Sequence, residues 1–165
     1  MALSRKIISA EAALEWAEDL CSRAEYSSGE IRGRLLRKGL SAADADRIVD
    51  LLVDLRFIDD ARFARAFIRD KVSFARWGRK KIVAALYQKR VTRGIIEECM
   101  EEIDGDEYMK RLVEVIESKL RSMSLDIEDL QYDDKVKIYR FAASRGFESS
   151  SISRALATLK SSKTR

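Results

Sequence analysis

The 165-residue chain contains no histidine and no proline, and only two cysteines and seven glycines. Without histidine, the commonest general base, the usual triad partner and the commonest neutral metal ligand are missing. Cys21 and Cys99 are far apart in the chain and cannot form a thiolate zinc site by themselves. Both fall in apolar helical patterns, where core packing in a reduced compartment is expected rather than a disulfide. No glycine-rich phosphate loop is present. There is no run of about 18 apolar residues and no secretory signal with its apolar stretch and cleavage site. A cytoplasmic protein without cofactor or metal is therefore expected. Any catalysis would have to rest on carboxylates, lysine or tyrosine.

The same shortages bear on fold. Few glycines and no prolines leave little to punctuate sheets and turns. Ala, Leu, Arg, Glu and Lys dominate instead, which favours helix, and a hydrophobic content of 46% supports a real core. The fold class expected is all-α.

An internal repeat organises the chain. "IRGRLLRKGL" (31–40), "IVAALYQKRV" (82–91) and "IYRFAASRGF" (138–147) align without gaps, at spacings of 51 and then 56 residues. Each begins with isoleucine and ends apolar, with Lys38, Lys89 or Arg145 two places before the end. Downstream, Ala45, Ile96 and Ile152 correspond, then Val49, Met100 and Leu156, then Leu52, Ile103 and Leu159. Steps of four and three are helical spacing. Each copy thus reads as a helix, a tight turn and a second helix. Gly39 and Gly146 suit the left-handed position of that turn; Arg90 stands there in the middle copy, so it is strained or the turn differs. A further helix precedes each pair, with apolar stripes at Ala13, Trp16, Ala17, Leu20 and Cys21, at Ala64, Phe67, Ile68 and Val72, and at Leu112, Val115, Ile116 and Leu120. Ser27 and Glu30 spell a capping box, and Gly78 and Asp134 hold the place of Ser27 in the later copies.

The chain therefore reads as three tandem three-helix, helix-turn-helix-like modules. The expected divisions are an N-terminal extension at 1–9, modules at 10–56, 57–104 and 105–160, and a basic tail at 161–165. The turn-linked helices lack a cluster of base-reading Asn, Gln and Arg, which argues against sequence-specific major-groove reading.

Asp59 and Asp60 are the one carboxylate pair that invites a catalytic reading. They fall between the first module and the second, where aspartate is a preferred N-cap and a second acid in the first turn suits the helix dipole. Adjacent residues on a helix point about 100° apart and do not converge on one reacting atom. The pair is expected to build a junction.

Charge is segregated along the chain. Residues 1–55 carry 8 basic and 10 acidic side chains, net −2; 56–93 carry 12 and 3, net +9; 94–134 carry 4 and 14, net −10; 135–165 carry 8 and 1, net +7. Such a pattern concerns partners rather than fold. If a helix runs unbroken from about Asp60 to Arg76, Arg62, Arg65, Arg69 and Arg76 share one face. Arg79, Lys80 and Lys81 open the next helix, and Lys89, Arg90 and Arg93 follow it. These ten residues are the candidate contacts to phosphates or to an acidic surface, of a kind that binds without reading sequence. Trp77 offers a base-stacking ring, although its counterpart Tyr26 sits in an apolar slot and core packing is expected.

Three stretches, "FIDDARFARAF" (57–67), "WGRKKIVAALYQKRV" (77–91) and "RGFESSSI" (145–152), resemble the RecX family, regulators of the RecA recombinase. The resemblance spans roughly residues 10–160 in order. Arg90, in place of the family's usual glycine, and the divergent segment around Asp133–Lys135 depart from it. It implies an elongated, curved body of three modules that acts as a monomer. It also implies binding to RecA–single-stranded DNA filaments, with at most weak binding to duplex DNA and none to membranes, and inhibition of ATP hydrolysis and strand exchange without catalysis. A general nucleic-acid binder or transcription factor, and a nuclease or other enzyme using Asp59, Asp60 and the acidic block, are the competing readings; tight duplex binding without RecA would mark the first and metal-dependent turnover the second.

Overall fold

The computed structural model describes residues 8–163. Most of the expected N-terminal extension and the last two residues of the expected tail lie outside them. The described residues form helices and turns with no strand: α1 (Ala10–Arg23), α2 (Ser28–Arg37), α3 (Ala42–Asp54), α4 (Asp60–Ser73), α5 (Arg79–Gln88), α6 (Arg93–Glu101), α7 (Gly105–Met123), α8 (Tyr132–Ser144) and α9 (Ser149–Lys163). Each of the three repeats supplies three consecutive helices. Residues 161–163, expected as tail, complete α9.

Most of the repeat positions are core positions, while Met100, Ile103 and Leu156 are only partly buried. Ile31, Ile82 and Ile138 are fully buried, as are Ala45 and Ile152, with Ile96 nearly so. Burying an isoleucine contributes about 1.5–3 kcal/mol, so these positions anchor each helix pair. The connecting turn is the same in all three copies. The amides of Leu40, Val91 and Phe147 reach back to the carbonyls of Leu35, Leu86 and Ala142 at 3.3, 3.1 and 3.3 Å. This is the bond that closes a Schellman C-cap, and it needs a left-handed residue just before it. Gly39 (φ 96°), Arg90 (φ 59°) and Gly146 (φ 93°) supply that residue. The middle turn therefore does not differ: Arg90 adopts the left-handed conformation, which costs a non-glycine residue about 1 kcal/mol.

The chain packs as two compact units. One comprises Met1–Ala66 and Leu86–Ile96, the other Phe67–Ala85 and Glu97–Arg165. The core of the first joins Ala13, Ala17, Ile31, Leu35, Ala45, Ile48, Leu52 and Ile58, with Trp16, Leu20 and Cys21 packed against it. The core of the second joins Tyr108, Leu112, Val115, Ile116, Ile138, Ala142, Phe147, Ile152 and Ala155. Ile127 and Leu130 belong to this second core although they lie in the segment between α7 and α8. Lys163 fastens that segment to the end of α9 by binding Asp126 at 2.8 Å, which holds the Asp126 carboxyl below its ordinary range. The two cysteines form no disulfide; Cys99 is buried and Cys21 half-buried, and burial raises the Cys21 pKa.

Candidate nucleic-acid interface

Helix termini position the basic residues. Asp59 caps α4, its carboxylate accepting from the Arg62 amide at 2.9 Å. Asp60 does something the sequence did not reveal. Although it is the first residue of α4, its carboxylate accepts from the amide and hydroxyl of Ser28 at 2.7 and 2.5 Å. Ser28 is the first residue of α2, so the two neighbouring aspartates cap two different helices. Ser27 and Glu30 form the expected capping box, at 3.1 Å in both directions. The Ser27 hydroxyl also donates to the Lys89 carbonyl at 2.5 Å, and Lys89 Nζ binds Glu30 at 2.7 Å. Thus the start of α2 receives the α5–α6 turn. The approach is close enough that a Cβ on Gly29 would lie 2.3 Å from the Arg90 Cβ.

The start of α5 is built by the same rule. The Gly78 amide donates to the Arg145 carbonyl at 2.7 Å and the Lys80 amide to Gly146 at 3.0 Å, so the α8–α9 turn docks here. A Cβ on Gly78 would meet Gly146 and Phe147 backbone atoms at 2.2 Å. The Arg79 amide, equivalent to that of Ser28, donates to the Tyr108 hydroxyl at 3.0 Å, which in turn donates to Glu148 at 2.6 Å. Burial, then the bond to Glu148, pushes the Tyr108 phenol far above its ordinary range. The third copy departs from the rule. Helix α8 starts at Tyr132, ahead of the Asp134 that aligns with Ser27 and Gly78, and Asp134 accepts from the Gln131 amide at 3.3 Å. The longer segment that buries Ile127 and Leu130 shifts this start.

Only part of the four-arginine stripe expected on α4 forms. Helix α4 ends at Ser73, and Arg76 lies beyond it in left-handed backbone (φ 53°), with the Trp77 amide reaching back to the Lys71 carbonyl at 2.8 Å. The proposed stripe is thereby cut to Arg62, Arg65 and Arg69. Several candidates also serve the fold. Arg62 binds Glu25 at 2.8 Å, and Arg76 meets Glu114 at 3.7 Å. Arg79 lies over the Tyr108 ring at 3.9 Å and reaches Glu148 at 3.5 Å. Lys89 sits in the α2 capping box. Lys81 is exposed, its Nζ 4.5 Å from the Trp77 ring. Arg65, Arg69, Lys80, Arg90 and Arg93 also have exposed side chains.

Two sequence readings change at this surface. Trp77 is half-buried, edge-on to Phe67 with 6.5 Å between centroids, and flanked by Lys71 as well as Lys81. On α4, Phe63 is a core residue alongside Ala64, Ile68 and Val72, while Phe67 is only partly buried. No helix among the described residues is long and apolar enough to cross a membrane.

Comparison with known proteins gives this arrangement a family. The models of the first, second and third three-helix domains of RecX match residues 13–52, 59–100 and 106–156. The regulatory protein RecX of Pelodictyon phaeoclathratiforme is 33% identical over 150 residues, covering 91% of this chain and 90% of the relative. That of Clostridium tetani is 34% identical over 122 residues, but the match spans only 53% of that longer relative. Among solved structures, RecX from Lactobacillus salivarius superposes with a TM-score of 0.82 at 19% identity, over 92% of this chain and 96% of the other. With all three of its helix triplets matched in order, the chain belongs to the RecX family of regulatory proteins.

Proposed function

We propose that this protein is a non-enzymatic regulator that binds RecA–single-stranded DNA filaments in the cytoplasm and slows ATP hydrolysis and strand exchange by RecA. The observation that carries this reading is the ordered match of all three RecX domains across residues 13–156. The absence of catalysis is supported by the fate of Asp59 and Asp60, whose carboxylates are engaged as helix caps. Filament contact is assigned first to the exposed cations Arg69, Lys80, Lys81 and Arg90, which would meet phosphates or the acidic surface of RecA.

The test is fluorescence anisotropy of labelled single-stranded DNA coated with RecA, titrated with this protein across a salt series. Binding that weakens as salt rises supports the reading, and each phosphate contact contributes about 0.7 to the slope of log affinity against log salt on a single strand. Tight duplex binding that needs no RecA would favour a transcription-factor reading instead.

A further inference from the structure

Phe74 is the most exposed large hydrophobic residue among those described, at 81%. It is not on a loose loop. Its amide still donates to the Asp70 carbonyl at 2.9 Å, continuing the last turn of α4. The following Ala75 carbonyl accepts from the Arg145 guanidinium at 3.3 Å, and the Trp77 amide returns to Lys71 at 2.8 Å. An aromatic ring is thus held out to water from a backbone pinned on both sides. No structural need of the fold explains it, since the core contacts of this region are made by Ile68 and Val72.

Its flanking sequence is predominantly basic, although Asp70 pairs with Lys71 at 3.0 Å and Glu114 lies 3.7 Å from Arg76. Residues 67–85 hold six basic side chains (Arg69, Lys71, Arg76, Arg79, Lys80, Lys81) and one acid, Asp70. Lys71 and Lys81 are braced on the Trp77 ring at 5.2 and 4.5 Å, and Arg145 joins them through Ala75. A fixed, exposed ring set among cations matches the chemistry of single-stranded nucleic acid, whose bases stack on aromatics while its phosphates meet lysine and arginine. A protein partner would have to offer an apolar pocket for the ring beside acids for the cations, whereas single-stranded DNA carries a base and a phosphate at every step.

We infer that Phe74 is a stacking platform for an unpaired base, with Lys80 and Lys81 on the adjoining phosphates. The inference deepens the proposed function, since it rests on single-stranded DNA being a direct contact and not only a partner through RecA. Trp77 is not the platform, because its ring is already covered by Phe67 and two lysines.

The experiment measures binding of a fluorescein-labelled dT oligonucleotide, free of RecA, to wild type, Phe74→Ala, Phe74→Trp and Lys80→Glu/Lys81→Glu. Each variant is first checked by thermal melting. Phe74→Ala should weaken binding about tenfold with the salt slope unchanged, because base stacking and not a phosphate contact is lost. Phe74→Trp should keep the affinity and show tryptophan quenching on binding. The lysine reversal should weaken binding and flatten the slope. An oligonucleotide of abasic sites should bind wild type and Phe74→Ala equally. Failure of wild type to bind free dT, equal affinity of Phe74→Ala and wild type for dT, or equal competition by polyglutamate would overturn the inference. Loss of RecA-filament binding with stacking intact would instead overturn the proposed function and leave this inference standing.

Discussion

Replacing Asp60 by alanine separates the structural role of the aspartate pair from any chemical one. The carboxylate accepts two hydrogen bonds from Ser28, at 2.7 Å from the amide and 2.5 Å from the hydroxyl. Losing an N-cap acceptor costs about 1 kcal/mol, and bonds to a charged acceptor are worth about 1.5–3 kcal/mol. Because the site is only partly buried and Ser27 still caps α2, about 2 kcal/mol is the expected loss. At about 2–4 °C per kcal/mol for a chain of this size, the melting temperature should fall by about 4–8 °C. Asp59→Ala removes one exposed bond, to the Arg62 amide at 2.9 Å, and should cost about half as much. The assay is thermal unfolding followed by circular dichroism. Hydrogen exchange should show faster opening at the start of α2 in Asp60→Ala and at the start of α4 in Asp59→Ala. An Asp60→Ala protein that melts like wild type, or that melts above Asp59→Ala, would refute the reasoning. So would metal-dependent DNA cleavage abolished by either change.

The repeated junction yields further expectations. Gly29→Ala should destabilise by about 1–3 kcal/mol through overpacking against Arg90, and Arg90→Gly should recover part of the loss; denaturant unfolding of the double-mutant cycle would show additive effects if the contact is unimportant. Gly78→Ala should cost more, since it meets the backbone of Gly146 and Phe147 rather than a side chain, and no single side-chain deletion should restore it. Tyr108 is kept neutral in the folded state, its pKa raised by burial and by Glu148 above the ordinary phenol value of 10.0. The stability it contributes is thus fully present below pH 10.0 and lost as pH rises from there toward the folded value. Tyr108→Phe should cost about 1–2 kcal/mol at neutral pH and make alkaline unfolding shallower; an identical alkaline slope would contradict this assignment. Arg69→Glu with Lys80→Glu should leave melting nearly unchanged, because exposed charges contribute little, while RecA-filament affinity drops in the anisotropy titration.

Much of the fold was legible because helical spacing leaves a strong trace. Ile31, Ile82 and Ile138 recur at the head of an ungapped repeat, and all three are fully buried. The Ser27–Glu30 box was readable because both partners lie within one turn of sequence. Asp60 was not, since its partner Ser28 is 32 residues away and only tertiary packing brings an acid to that amide. The end of α4 was missed for another reason. No proline or glycine marks Ser73, and the chain stops there through a left-handed arginine that propensity does not favour. The same holds for Arg90, where sequence suggested strain or a changed turn and the structure keeps the turn. Helical spacing carried the arginine stripe on to Arg76, past the end of α4, and charge counting could not show that Arg62, Lys89, Arg76 and Arg79 meet Glu25, Glu30, Glu114 and Glu148. Phe74 was passed over because an exposed aromatic at a helix end looks like a core residue until its surroundings are seen.

The central claim is regulation of RecA, and the most direct measurement is the rate of ATP hydrolysis by RecA on single-stranded DNA with increasing amounts of this protein. The rate should fall by the time the protein is equimolar with RecA, with the filament still present by electron microscopy or anisotropy. An unchanged rate at excess protein, on a filament confirmed to be intact, would contradict the account.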